Sequence, residues 1–236
     1  MLRISKLTKK FGDFIVVESL DLNVSAGEIF GFLGHNGAGK TTTLLMLTTL
    51  LKPTSGVVEI AGLDVVKDNL KARKLIGYLP ENVNLYGDLS TAENLRFFGK
   101  ISGVENIEQR IDQVLETIKF SPWKHTKVSN LSKGMRQRVG IAQAILHQPK
   151  LLFLDEPASG LDPQGTKEMR ELLLMLNQDF GTTIFMNTHQ LSEVTKICTN
   201  IGILKHGKLL LADSLDAVLS RFSAEKSLED IYLKVG

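Results

Sequence analysis

Residues 34–41 read Gly-His-Asn-Gly-Ala-Gly-Lys-Thr, glycines and a lysine spaced to grip a polyphosphate. The glycines let consecutive backbone N–H groups converge on phosphate oxygens, and the N-terminus of a following helix adds partial positive charge. Lys40 supplies a point charge for the β and γ phosphates, and the Thr41 hydroxyl can ligate Mg²⁺. The apolar run Ile29 to Leu33 precedes the loop, and Thr42 to Leu51 follows it as a helix candidate stopped before Pro53. Strand, loop and helix are the context this pattern requires, so the segment predicts nucleoside triphosphate binding. Kinases, GTPases, helicases and transport ATPases all share it, and the rest of the chain must choose between them.

A second group lies at Leu151-Leu152-Phe153-Leu154-Asp155-Glu156, two carboxylates at the carboxyl end of a buried strand. That is where open α/β sheets bind ligands. Asp155 is placed to hold Mg²⁺, directly or through water, and Glu156 to activate an attacking water. Further back, Ser132 is a good N-cap for the helix that carries the apolar run Val139 to Leu146. Lys133, Arg136 and Arg138 crowd the start of that helix, where the macrodipole disfavours cations by about 0.3–1 kcal/mol each. An anion at this helix end would explain them. His189 follows the strand Thr183 to Thr188 and so falls on the same rim of the sheet as the carboxylates.

These groups need a scaffold, and the chain has enough material for one. Its 236 residues are 43% apolar and 23% charged, and 28 Lys+Arg against 26 Asp+Glu leave a net charge of +2. That is ordinary globular usage, which argues against a disordered or polyanion-coating chain. No apolar run approaches the roughly 20 residues of a spanning helix. The N-terminal residues lack the continuous apolar stretch of a signal peptide, and the lone Cys198 forms no internal disulfide. The cytosol is therefore expected. Leu20, Leu22 and Val24 alternate with polar residues as in a half-buried strand, and Val57 to Ile60 is a second strand candidate. Ser90 and Glu93 form a capping box for a helix to about Ile101, while Ile107, Ile111, Val114, Leu115 and Ile118 recur at helical spacing. After Pro149, strands return around a helix from about Gln164 to Asp179, and His206-Gly207 reads as a hairpin turn. The expected fold is α/β with a mainly parallel sheet. Residues 1–236 form a single domain, in which 1–81 and 149–236 make the core and 82–148 an inserted helical subdomain.

In this order the motifs resemble an ATP-binding cassette (ABC) ATPase subunit, from Leu2 to about Asp213. The likeness rests on Lys10-Phe11-Gly12, the phosphate loop, a Q-loop region at Gly77 to Glu81, a signature at Leu131 to Met135 and the Asp155-Glu156 pair. A D-loop at Ser159 to Asp162 and a switch histidine, His189, complete it. The resemblance implies a P-loop NTPase of ABC type with an antiparallel β subdomain, and ATP and Mg²⁺ as cofactors. It implies nucleotide contacts from Phe11, which would stack on adenine, and from Gly34, Asn36, Gly37, Ala38, Gly39, Lys40, Thr41 and Thr42. Ser132, Gly134 and Asp162 join them, Ser132 and Gly134 reaching the γ-phosphate held by a head-to-tail partner subunit. Glu156, His189 and Lys40 would be catalytic, and Thr41, Asp155 and Glu81 would face the metal. Two positions depart from the family pattern. Lys133 and Met135 replace a glycine and a glutamine of the usual Leu-Ser-Gly-Gly-Gln signature, and Glu81 replaces the Q-loop glutamine.

Among the classes that remain, a transporter motor would dimerise and need a separate membrane permease, docked near Asn82 to Phe98 on the cytoplasmic face. A soluble ABC protein of translation or DNA repair would usually carry a second cassette or a long coiled-coil insertion, and no sustained heptads are present here. A plain phosphotransferase leaves the signature and His189 unexplained. No nucleic-acid partner is expected. Gly77 to Glu81, Leu85-Tyr86 and Ser227 to Leu233 look like the export branch of the family.

Overall fold

The computed structural model describes residues 1–235. Two sheets are built from strands β1 (Leu2–Phe11), β2 (Phe14–Val24), β3 (Ile29–Leu33), β4 (Ser55–Ile60), β5 (Leu63–Asp64) and β6 (Ile76–Leu79), with β7 (Leu151–Asp155), β8 (Thr183–Thr188), β9 (Asn200–Lys205) and β10 (Lys208–Ser214). The first sheet is antiparallel, in the order β2-β1-β4-β5. The second has the order β10-β9-β3-β8-β7-β6 and is parallel except for the β9–β10 hairpin. Its strands β3, β7 and β8 are buried throughout, as expected for a sheet covered on both faces.

Helices α1 (Lys40–Leu47), α2 (Asn69–Arg73), α3 (Thr91–Ile101), α4 (Ile107–Thr117), α5 (Lys133–Ile145), α6 (Pro163–Gln178), α7 (Leu191–Ile197), α8 (Leu215–Arg221) and α9 (Leu228–Val235) complete the chain. The capping box forms at α3, where the Ser90 hydroxyl accepts from the Glu93 N–H and the Glu93 carboxylate accepts from the Ser90 N–H. The α4 face expected to be apolar is buried at Ile111, Val114 and Leu115. One buried cluster joins α3, α4 and α5 to Leu152, Leu154, Ile184 and Met186 of the sheet. A second joins the antiparallel sheet to Phe30, Phe32, Phe153 and Phe185. Alternate residues of β3, β7 and β8 thus divide between two cores, which holds their carboxyl ends rigid from both sides.

The first helix differs from its expected span of Thr42 to Leu51. It starts two residues earlier, because Gly39 at φ 105° serves as its N-cap, and it ends at Leu47. Thr49 then enters the left-handed region at φ 65°, and the N–H groups of Leu50 and Leu51 both turn back to the Leu45 carbonyl. Helices α2, α7, α8 and α9 have no counterpart in the sequence reading. Among the described residues, no helix is long and apolar enough to cross a membrane.

Candidate functional site

The phosphate loop leaves β3 at Gly34 and is fixed from behind by backbone. The Ala38 carbonyl accepts from the Gly207 N–H of the β9–β10 turn at 3.0 Å, and the Gly207 carbonyl accepts from the Glu18 N–H at 2.8 Å. A Cβ on Gly39 would lie 2.7 Å from the Val16 carbonyl oxygen, so only glycine lets β2 pass this close. His206 and Gly207 both have positive φ, 47° and 77°, the twist that a tight two-residue hairpin needs.

Lys40 opens α1 and is buried. Its ammonium donates to the Gly34 carbonyl at 2.5 Å and to the His35 carbonyl at 3.3 Å. Burial pulls its pKa below the ordinary lysine value, while Glu156, Asp155 and Glu81 oppose that shift. Lys40 therefore sits where negative charge converges, held by loop carbonyls that a phosphate oxygen can replace as its partner.

At the ends of β7 and β8 the register pairs Asp155 with Asn187. The Asn187 amide donates to Asp155 Oδ1 at 3.0 Å. Burial pushes the Asp155 carboxyl above its ordinary range and Glu81 adds to this, while Asn187, Thr41 and Lys40 pull it back. Glu156 follows with φ at 50°, a left-handed conformation uncommon for a residue with a side chain. Its N–H donates to the Asn187 carbonyl at 3.0 Å, which fixes this backbone. His189 Nδ1 lies 2.9 Å from Glu156 Oε1, and because a carboxylate only accepts, Nδ1 carries the proton. Glu156 Oε2 is buried without a donor, as is Asn187 Oδ1. An oriented carboxylate with one free lone-pair oxygen is what a general base requires.

The structure brings most of the expected residues into one cleft of about 330 Å³. Asn36, Gly37, Gly39, Lys40, Thr41, Thr42, Glu81, Glu156 and His189 line it, together with Val16 and His35. Ser132, Gly134 and Asp162 are elsewhere. They line a second cleft of about 370 Å³ between the start of α5 and the start of α6. There the Ser132 hydroxyl caps α5 by accepting from the Met135 N–H, and Asp162 Oδ1 caps α6 by accepting from the Gly165 N–H at 2.9 Å. Phe11 is outside both clefts at the tip of the β1–β2 hairpin, half exposed, with the Lys9 ammonium 4.9 Å from its ring centre.

Sequence reasoning missed three neighbours of the site. Val16 lines the first cleft, Asn187 orients Asp155, and Gln137 of α5 donates to the Glu81 carbonyl at 3.3 Å, tying α5 to the loop after β6. A polar Asn directly after the apolar run Ile184 to Met186 was the one signal that could have found Asn187.

The family model for ABC transporters matches residues 17–159. The bacitracin transport ATP-binding protein BcrA of Bacillus licheniformis is 44% identical over 89% of this chain and 68% of its own length. A solved ATP-binding subunit of an ABC transporter superposes with a TM-score of 0.88 at 28% identity, covering 100% of this chain and 99% of that one. The dimeric cassette MJ0796, solved in a post-hydrolysis state with ADP and Pi, gives a TM-score of 0.80 at 27% identity over 91% of this chain and 99% of that one. With the phosphate loop, Glu156 and His189 on one cleft, these likenesses show that the chain belongs to the ABC transporter family, as an ATP-binding and ATP-hydrolysing subunit.

Proposed function

We propose that this subunit is the motor of an exporter, working as a head-to-tail homodimer on the cytoplasmic face of a membrane and driving a separate permease. The observation that carries the reading is the separation of the two clefts. The phosphate-loop cleft holds a base and a lysine but no signature residue, and the signature cleft holds Ser132 and Gly134 but no phosphate loop. Two copies facing each other would complete both sites, with the Lys133 and Arg136 cations of one copy brought to the triphosphate of the other. In this reading 82–148 is the signature subdomain and Phe11 closes on the adenine.

The donor set suits Mg²⁺. Asp155 and Thr41 supply oxygens, and the two buried acceptors without donors, Glu156 Oε2 and Asn187 Oδ1, suit the bound waters that this ion keeps. When bound, the ion would neutralise charge on the β and γ phosphates. Glu156 Oε2 takes the proton of the attacking water, and His189 Nδ1–H holds the other oxygen in place. Glu81 lines the same cleft and lies beside Asp155, which supports a place for it near the ion.

Permease docking is supported by an exposed aromatic group on the helical side. Tyr86, Phe97 and Phe98 pack with ring centres 5.2–6.0 Å apart, Tyr86 and Phe97 are about half exposed, and Ile101 is exposed on the same helix. Export rests on the Gly77 to Glu81, Leu85-Tyr86 and Ser227 to Leu233 stretches and agrees with the relative that transports bacitracin.

Glu156→Gln tests the core of the proposal. It should retain ATP binding, lose about 10²–10⁴ in hydrolysis rate and elute as a dimer with ATP. A monomer that hydrolyses ATP at the wild-type rate would falsify both the base and the sandwich.

A further inference from the structure

His35, which lines the phosphate cleft, meets a second histidine, His206, outside the catalytic constellation. His35 comes from the phosphate loop and His206 from the β9–β10 turn, 206 − 35 = 171 positions apart in the chain. Their ring centres are 5.2 Å apart with an interplanar angle of 61°. Both side chains are exposed. His35 Nδ1 lies 2.7 Å from the Asn36 carbonyl oxygen, which can only accept, so Nδ1 carries the proton and Nε2 keeps its lone pair. A ring N–H directed to a backbone carbonyl is the arrangement that orients metal-ligating histidines.

We propose that His35 and His206 form a binding site for a zinc-class divalent cation that bridges the phosphate loop and the β9–β10 turn. Zinc sits about 2.0–2.1 Å from an imidazole nitrogen, hence about 3.2 Å from the ring centre. Two imidazoles at a tetrahedral angle then have ring centres about 5.2 Å apart, the spacing found here. The segments that carry the two rings are tied together by the Gly207 N–H to Ala38 carbonyl bond. Among the described residues, no group of three or more His, Cys, Asp or Glu side chains converges on a metal. The remaining coordination positions would therefore go to water or to phosphate oxygens of the nucleotide in the adjoining cleft. Neighbouring charge is mixed: Lys208 pairs with Glu18 at 3.5 Å, and the Lys40 ammonium is turned onto loop carbonyls.

The test is titration of the full chain with Co²⁺ and Zn²⁺, followed by the Co²⁺ visible spectrum and by equilibrium dialysis, without nucleotide. The expected result is one saturable site per chain at pH 7.5. His206→Asn should weaken it at least tenfold and leave basal ATPase unchanged, since Asn accepts positive φ before a glycine and keeps the turn. Cys198 cannot imitate the site, being buried with its thiol pushed up to about 12. The absence of saturable binding to wild type, or equal binding by wild type and His206→Asn, overturns the proposal.

Discussion

Asp155 carries opposed demands in one carboxyl group. Burial and the proximity of Glu81 favour its protonated form, whereas a cation needs the ionised one. Asn187 shifts the balance towards ionisation through a single hydrogen bond in the interior of the sheet. Replacing it by Leu leaves Asp155 buried without that donor, so Asn187→Leu should destabilise the fold by about 1–3 kcal/mol in a thermal melt. The Asp155 pKa, already above its unfolded value, should rise further. Cation affinity falls as pH drops through that value, so the Mg²⁺ concentration for half-maximal ATPase should climb on acidification, starting at a higher pH in the variant than in wild type. Parallel pH profiles would mean that Asn187 does not set the ionisation of Asp155.

Helices α6 and α7 begin just after Ser159 to Asp162 and just after His189 respectively, and one ion cluster joins them. Glu193 accepts from Arg170 Nε at 2.9 Å and from Lys196 Nζ at 2.8 Å, and is nearly buried. Burial pushes the Glu193 carboxyl up, but the hydrogen bonds of Lys196 and Arg170 outweigh it and hold the pKa below its ordinary value. A carboxyl depressed in the folded state stabilises above its unfolded pKa and ceases to as pH falls through the folded one. Glu193→Gln should therefore lower stability by about 1.5–3 kcal/mol at pH 7, and the gap from wild type should close in melts below pH 4. This contact was not legible in the sequence, since it depends on how two helices dock across β8. The helices themselves divided by length and signal. The capping box and period of α3 and α4 were readable, whereas α7 and α8, seven residues each, carry too few turns for a period to show. The phosphate loop and the Asp-Glu pair were readable because their chemistry is local. Asn187 was not, because its role comes from the register of β7 against β8, and Ser132 and Asp162 could be named but not placed.

In the proposed head-to-tail dimer each copy presents two incomplete halves, and this arrangement predicts complementation. Lys40→Ala should abolish turnover with the fold intact, and Ser132→Arg should abolish it without weakening ATP binding to the single subunit. In a mixture, half of the dimers are heterodimers, and each holds one wild-type pair of clefts. ATPase should reappear at about a quarter of the wild-type level for an equimolar mix if one competent site turns over alone. Two inactive variants that recover nothing at any ratio would contradict that arrangement.

The clamp behind the phosphate loop also bears on the thermodynamics of nucleotide capture. Fixing a backbone residue costs about 1–2 kcal/mol of conformational entropy, and a loop that ordered only around its ligand would charge that cost to affinity. Here the bond from Gly207 to Ala38 and the packing of Gly39 on β2 settle the loop when the strands pair, before any nucleotide arrives. The Gly207 amide should exchange with deuterium slowly in the nucleotide-free chain and change little on adding ATP. Calorimetry on the Ser132→Arg subunit should show a small heat-capacity change on binding, because little apolar surface or backbone is left to order. Fast exchange that slows only with ATP would show instead that the nucleotide folds its own cradle.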